Sequence, residues 1–187
     1  IRDISPSRGL GDVYKRQRSE FERIPRDYYP TPYSAVQPLL PHLPDRFEFA
    51  EPCAGDMRLI EHLEKNGGYC RYAFDIEPMN KKVVKQDALE HGYSHCDYII
   101  TDPPWSRKIL HPMIEHFADQ KPTWLLFDSD WMHTKQSIPY LKMLKKVVSV
   151  GRVKWIEGSA GVGKDNCCWY LFENTFQFNP IEFCGRT

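Results

Sequence analysis

From residue 47 to residue 173 the chain alternates short apolar runs with longer amphipathic stretches, and this alternation restricts the available folds more than any other feature. Residues 47–50 (FEFA), 70–76 (CRYAFDI), 97–101 (DYIIT) and 123–128 (TWLLFD) read as strands. Residues 58–66 read as a helix, with Leu59, Ile60 and Leu63 on one face and Gly67 and Gly68 as its stop. Residues 107–118 and 134–146 read as two more helices. Strands that alternate with helices imply parallel pairing through crossovers. Residues 146–156 and 167–173 read as two strands around a glycine-rich loop with no helix between them, which implies a final antiparallel pair. The expected class is therefore α/β and Rossmann-like, a mostly parallel sheet with a terminal antiparallel strand.

At 187 residues and 41% hydrophobic content, the chain suits one globular domain, expected over 18–187. Residues 1–17 are set apart. DVYKRQ (12–17) back-translates to a transposon-end adapter of sequencing libraries, so the segment reads as translated adapter joined to a truncated gene. The plainer alternative is a basic N-terminal arm. Without these residues the chain carries a net charge of −2; with them, 25 basic and 25 acidic residues cancel. A neutral chain is not a general polyanion binder, so any nucleic-acid contact needs a local basic patch. There is no apolar run of about 18 residues and no export signal, which points to a cytoplasmic protein without a membrane partner. Six cysteines form no C-x-x-C pair, and seven histidines form no helical ligand pair, so no metal site is expected.

Four segments carry the chemistry. In FEFAEPCAGD (47–56), Glu51, Pro52, Cys53, Ala54 and Gly55 follow a strand and precede a helix. Small residues there let the backbone approach a ligand, and open α/β sheets bind ligands beyond the carboxyl ends of their strands. A helix N-terminus beside the turn favours a ligand carboxylate. Asp75, followed by Ile76, ends the second strand, where a carboxylate accepts ribose hydroxyls. KQDAL (85–89) offers Asp87 as an acceptor for an adenine amine. TDPPW (101–105) follows the third strand. Taken singly, Glu51 also reads as a helix cap and Asp75 as a turn residue; their ordered occurrence favours a cofactor site.

The order EPCAG, DIEP, QDA, DPPW resembles that of class I S-adenosylmethionine-dependent N6-adenine methyltransferases, of the kind found in bacteriophage and metagenomic sequences. YYPTPYSAVQPLL (28–40) is similar to the Thr-Pro stretch that precedes the first motif there, which implies that Tyr29, Thr31 and Pro32 touch the methionine end of the cofactor. The resemblance covers roughly residues 28–173 and implies S-adenosyl-L-methionine as cofactor and nucleic acid as substrate, DNA before RNA. One departure stands out: Met57 occupies the position of the family's second glycine, and its side chain is expected to turn away from the cofactor.

The tetrapeptide Asp102, Pro103, Pro104, Trp105 fits amine methylation. An adenine amine is a poor nucleophile because its lone pair is delocalised into the ring. Asp102, which also borders the cofactor, accepts one N–H, and the Pro103 carbonyl accepts the other. Two prolines fix φ and remove competing donors, and Trp105 stacks on the base. The plainer reading is a strand-end turn before a helix. Arg107 and Lys108 are candidates for phosphate contacts or ordinary solvated cations. Trp131 and His133 are candidates for base contacts or for core and cap. Lys164, in the loop 158–164, sits near a phosphate or in a simple hairpin loop. That loop has phosphate-loop spacing, but Asp165 stands where Ser or Thr would bind magnesium, so nucleotide triphosphates are excluded. Alternative functions are methylation of protein glutamine or RNA guanine, or a non-catalytic nucleic-acid-binding subunit of a methyltransferase heterodimer. Asp102, Trp105 and Asp75 favour the adenine enzyme.

Overall fold

The computed structural model describes residues 29–156, 158, 163–175 and 180–186. The reading of residues 1–17 falls outside these residues, as does most of the loop 158–164. Eight strands form one sheet. They are β1 (Phe47–Glu51), β2 (Gly68–Asp75), β3 (Val84–Lys85), β4 (Tyr98–Thr101), β5 (Thr123–Asp128), β6 (Leu144–Arg152), β7 (Asn166–Phe172) and β8 (Glu182–Cys184). Their order is β3-β2-β1-β4-β5-β7-β6-β8. β1 to β5 pair in parallel, β7 runs antiparallel to β5 and β6, and β8 returns parallel to β6. The expected class holds, and β3 and β8 are additions to it.

The central strands are buried on both faces, which explains their unbroken apolar runs. Neighbouring residues point to opposite faces, so Ile99, Leu125 and Tyr170 join one apolar cluster while Ile100, Trp124 and Trp169 join the other. Helix α3 (Arg107–Ala118) covers the first face with Leu110, Met113, Ile114 and Phe117, which share one stripe at helical spacing. Helices α1 (Tyr33–Val36) and α2 (Arg58–Glu64) cover the second face through Val36, Leu59, Ile60 and Leu63.

One expected element is corrected. Residues 134–146 form no α-helix; 3₁₀ turns run over Ser129–His133 and Lys135–Tyr140, and β6 starts at Leu144. Pro139 lies within that stretch and cannot supply an α-helical N–H. No helix among the described residues is long and apolar enough to cross a membrane.

Candidate active site

The chain leaves the centre of the sheet in two directions, from β1 outward to β2 and β3, and from β4 outward to β5. A crevice opens where the order reverses, beyond the carboxyl ends of β1 and β4, and ligands of open α/β sheets bind there. Glu51 ends β1, Asp75 ends β2, and Thr101 ends β4 with Asp102 directly after it.

Glu51 is only 1% exposed. Its Oε1 accepts the Thr101 hydroxyl at 2.5 Å and the Cys53 amide at 3.1 Å. Its Oε2 is buried and has no hydrogen-bond partner among the described residues. Burial pushes the Glu51 carboxyl well above the usual carboxylate range. The bonds from Thr101 and Cys53 oppose that shift, and the nearby Asp102 and Asp75 add to it. An unpartnered acceptor in so dry a place fits a cationic ligand group. The thiol of Cys53 is also pushed well up by burial and by Glu51.

Asp75 ties the first motif to the end of β2. Its Oδ2 accepts the Gly55 amide at 2.9 Å and its Oδ1 the Glu77 amide at 2.8 Å, while the Ala54 amide donates to the Phe74 carbonyl at 2.8 Å. Each carboxylate oxygen can accept a further bond, so these ties are compatible with ribose hydroxyls. Gly55 and Met57 both have positive φ, 47° and 77°. The position where a second glycine was expected thus does need the left-handed conformation, and Met57 adopts it while its side chain packs on the apolar cluster of the α2 face. Ile76 is 58% exposed at the rim. Asp87 already accepts the Leu89 amide at 2.9 Å and so caps the turn Ala88–Glu90.

Asp102 is half-buried and held from two sides. Thr31 Oγ1 donates to its Oδ2 at 2.9 Å, and Trp105 Nε1 donates to its Oδ1 at 3.4 Å. Burial pushes the carboxyl up to about 7, and the two donors oppose this. Trp105 meets Trp155, just beyond β6, edge to face at 5.9 Å. The structure thus brings Thr31, Glu51, Cys53, Asp75, Asp102 and Trp105 to one crevice. The link from Thr31 to Asp102, the support of Glu51 by Thr101, and Trp155 were not anticipated. Thr101 adjoins the tetrapeptide, and Trp155 was submerged in an apolar strand run.

Two substrate assignments read differently in three dimensions. Trp131 is corrected: it has no exposed surface, packs against Phe127, Tyr170 and Phe172, and donates through Nε1 to His111 at 3.1 Å. It has no open face for a base. Arg107 pairs with Asp128 at 3.1 Å. His133, Lys108 and Lys164 are exposed. Among the described residues no group of three or more His, Cys, Asp or Glu is placed to hold a metal.

No family model matches the chain. In sequence it is similar to the Type II methyltransferase M.VspI of Vibrio sp. (strain 343), 25% identical over 139 residues, 62% of this chain and 34% of that protein. The chain therefore spans about a third of that relative's length. In structure it is similar to the 23S rRNA methyltransferase ErmE, with a TM-score of 0.54 and 11% identity over 79% of this chain and 69% of that one. It is also similar to a dimethyladenosine transferase from Plasmodium falciparum, with a TM-score of 0.53 and 13% identity over 78% and 63% of the two chains. The fold is the Rossmann-like, mostly parallel α/β fold of these methyltransferases. In this chain β7 is the inverted strand of a mostly parallel sheet, and the crevice at the β1/β4 reversal is where ligands of open α/β sheets bind.

Proposed function

We propose that the chain transfers a methyl group from S-adenosyl-L-methionine to the exocyclic N6 amine of adenine in nucleic acid, with DNA placed before RNA. The observation that carries this reading is Asp102, fixed by Thr31 and Trp105 at the sheet's reversal beside the unpartnered Glu51 Oε2. The residues present fit the cofactor. Glu51 would receive its ammonium group, Asp75 its ribose hydroxyls, and Ile76 and Asp87 its adenine, with the turn 52–55 and residues 29–32 along the methionine moiety. The cofactor supplies an electrophilic methyl on a sulfonium.

The chain's residues prepare the amine. Asp102 accepts one of its hydrogens and the Pro103 carbonyl the other, which favours the pyramidal nitrogen that must form in the transition state. Pro103 and Pro104 hold that carbonyl rigidly and offer no competing N–H. Trp105 presents an indole face to the base. After transfer the surplus proton leaves to water, so Asp102 acts by position and polarisation. A duplex substrate would have to flip its target base out of the stack, at a cost of about a few kcal/mol.

The test is incubation with methyl-labelled S-adenosylmethionine and matched DNA, RNA and protein substrates, followed by mass spectrometry of the modified group. N6-methyladenine supports the reading, and its yield on the two polymers ranks them. Methylglutamine or methylguanine would move the enzyme to another substrate class. Cofactor binding with no transfer to any substrate would make the chain a non-catalytic subunit.

A further inference from the structure

The segment that carries Thr31 is built for rigidity. Pro30 and Pro32 flank Thr31, and Pro32 opens α1 at φ −76° and ψ 154°. Ring-fixed φ on both sides removes most of the freedom such a segment would have. α1 is pinned twice more. Tyr33 packs against His62 of α2 with ring centroids 5.3 Å apart, and the buried Trp169 of β7 donates through Nε1 to the Ala35 carbonyl at 2.8 Å. Thr31 itself is only 6% exposed. Thr31 is thereby placed to make its side-chain bond, from the hydroxyl to Asp102 Oδ2 at 2.9 Å across 71 residues of sequence.

The other donor to Asp102 is weaker. Trp105 Nε1 lies 3.4 Å from Oδ1, near the outer limit of a hydrogen bond. Of the two bonds, the one from Thr31 is the shorter. No ion pair with Asp102 exists among the described residues. The groups that face it from other elements are Glu51 at the end of β1, Cys53 in the following turn and Cys167 on β7. None of them is a cation.

We propose that Thr31 is a positioning residue for Asp102: its hydroxyl aims the carboxylate at the target amine and holds it in the ionised form that accepts an amine hydrogen. This deepens the adenine-methyltransferase reading and rests on it for the role of the amine, while the Thr31–Asp102 relation stands on its own geometry. The physical basis is direct. A hydroxyl that donates to a carboxylate favours the charged form, and a carboxylic acid whose proton is retained has lost an acceptor. With burial pushing Asp102 up to about 7 even with this donor present, its removal carries the group through the neutral range.

The experiment compares Thr31→Val, which keeps the shape and deletes the hydroxyl, with Thr31→Ser, which restores it. Aspartate side-chain carboxyl carbons are labelled with ¹³C, and the Asp102 signal is assigned from its loss in Asp102→Asn. In Thr31→Val the Asp102 titration midpoint should move up by about one unit, the size expected for loss of one bond to a charged group. In Thr31→Ser it should return to the wild-type value. Single-turnover methyl transfer, followed against pH, should show the same displacement of its rising limb. A midpoint in Thr31→Val equal to wild type, or one that Thr31→Ser fails to restore, overturns the proposal. If the valine variant does not fold, Thr31→Ala serves in its place. A shifted midpoint in a protein that methylates no adenine leaves the Thr31–Asp102 relation standing and removes the adenine reading, so the two fail separately.

Discussion

Asp102 is the residue on which chemistry and stability meet. Its carboxyl is pushed up to about 7 from an ordinary 3.8, so the folded state holds that proton more tightly than the unfolded chain. Its contribution to stability is therefore full below about pH 4 and is lost as the pH rises through about 7. Asp102→Asn cannot titrate. Its melting temperature relative to wild type should climb between about pH 4 and 7 and level off above; a difference that stays flat would mean that Asp102 ionises normally in the fold. Asp102→Ala tests the chemistry. Turnover should fall by a factor on the order of a hundred to a thousand, the usual loss for one preorganised partner of developing charge, while calorimetry finds cofactor affinity within about a few-fold. Near-normal turnover on adenine would end the amine-positioning mechanism. Met57 offers a second residue-scale test. At φ 77° a side chain costs about 1–2 kcal/mol, and a β-branched one costs more. In urea titrations Met57→Val should lose stability, whereas Met57→Gly, which regains backbone ease as it sheds an apolar contact, should stay close to wild type. Equal losses in both would place the cost in packing alone.

Elements in this chain are joined by turns that tolerate little. Gly67 links α2 to β2 at φ +93°, and a Cβ there would run into the Asp45 carbonyl. Gly67→Ala should therefore cost on the order of 2 kcal/mol or more in equilibrium unfolding, since strain and a backbone clash add. An alanine variant as stable as wild type would show that the segment before β1 yields freely. The glycine was readable as a helix stop from sequence; the clash was not, because Asp45 comes near only once β1 and β2 pair. The same division runs through the whole fold. Residues 107–118 and 123–128 matched their elements because their apolar spacing is strong enough to decide by itself. β3 and β8 were missed because two and three residues carry no period, and only pairing with β2 and β6 makes them strands. The stretch after β5 was misread because its spacing suits a helix while Pro139 interrupts one. In the site, the order of acidic residues at strand ends was legible. The burial of Trp131 and the reach of Thr31 to Asp102 were not, since both depend on packing between elements far apart in sequence.

At the scale of the whole molecule, charge says little about recognition. Positive and negative residues balance, and Arg107, the cation nearest the tetrapeptide in sequence, is engaged with Asp128. Long-range attraction of a polyanion is correspondingly weak, so the chain on its own is expected to select substrate by fit in the crevice. The topology has a different consequence. β7 lies between β5 and β6, although it follows both in the chain. A ribosome therefore delivers β5 and β6 before the strand that must separate them exists. Until residue 172 emerges, β5, buried at five of its six positions in the finished sheet, keeps a bare edge, and α1 lacks the Trp169 bond that ties the beginning of the fold to its end. A chain halted at residue 160 should accordingly be recovered as aggregate or bind a hydrophobic dye, whereas one halted at residue 186 should not. A soluble, dye-negative short chain would mean that β5 finds other cover. The order of synthesis makes β7, which arrives after both of its neighbours, the lock of the sheet, and places the exposure of β5 to misassembly in the interval before β7 emerges.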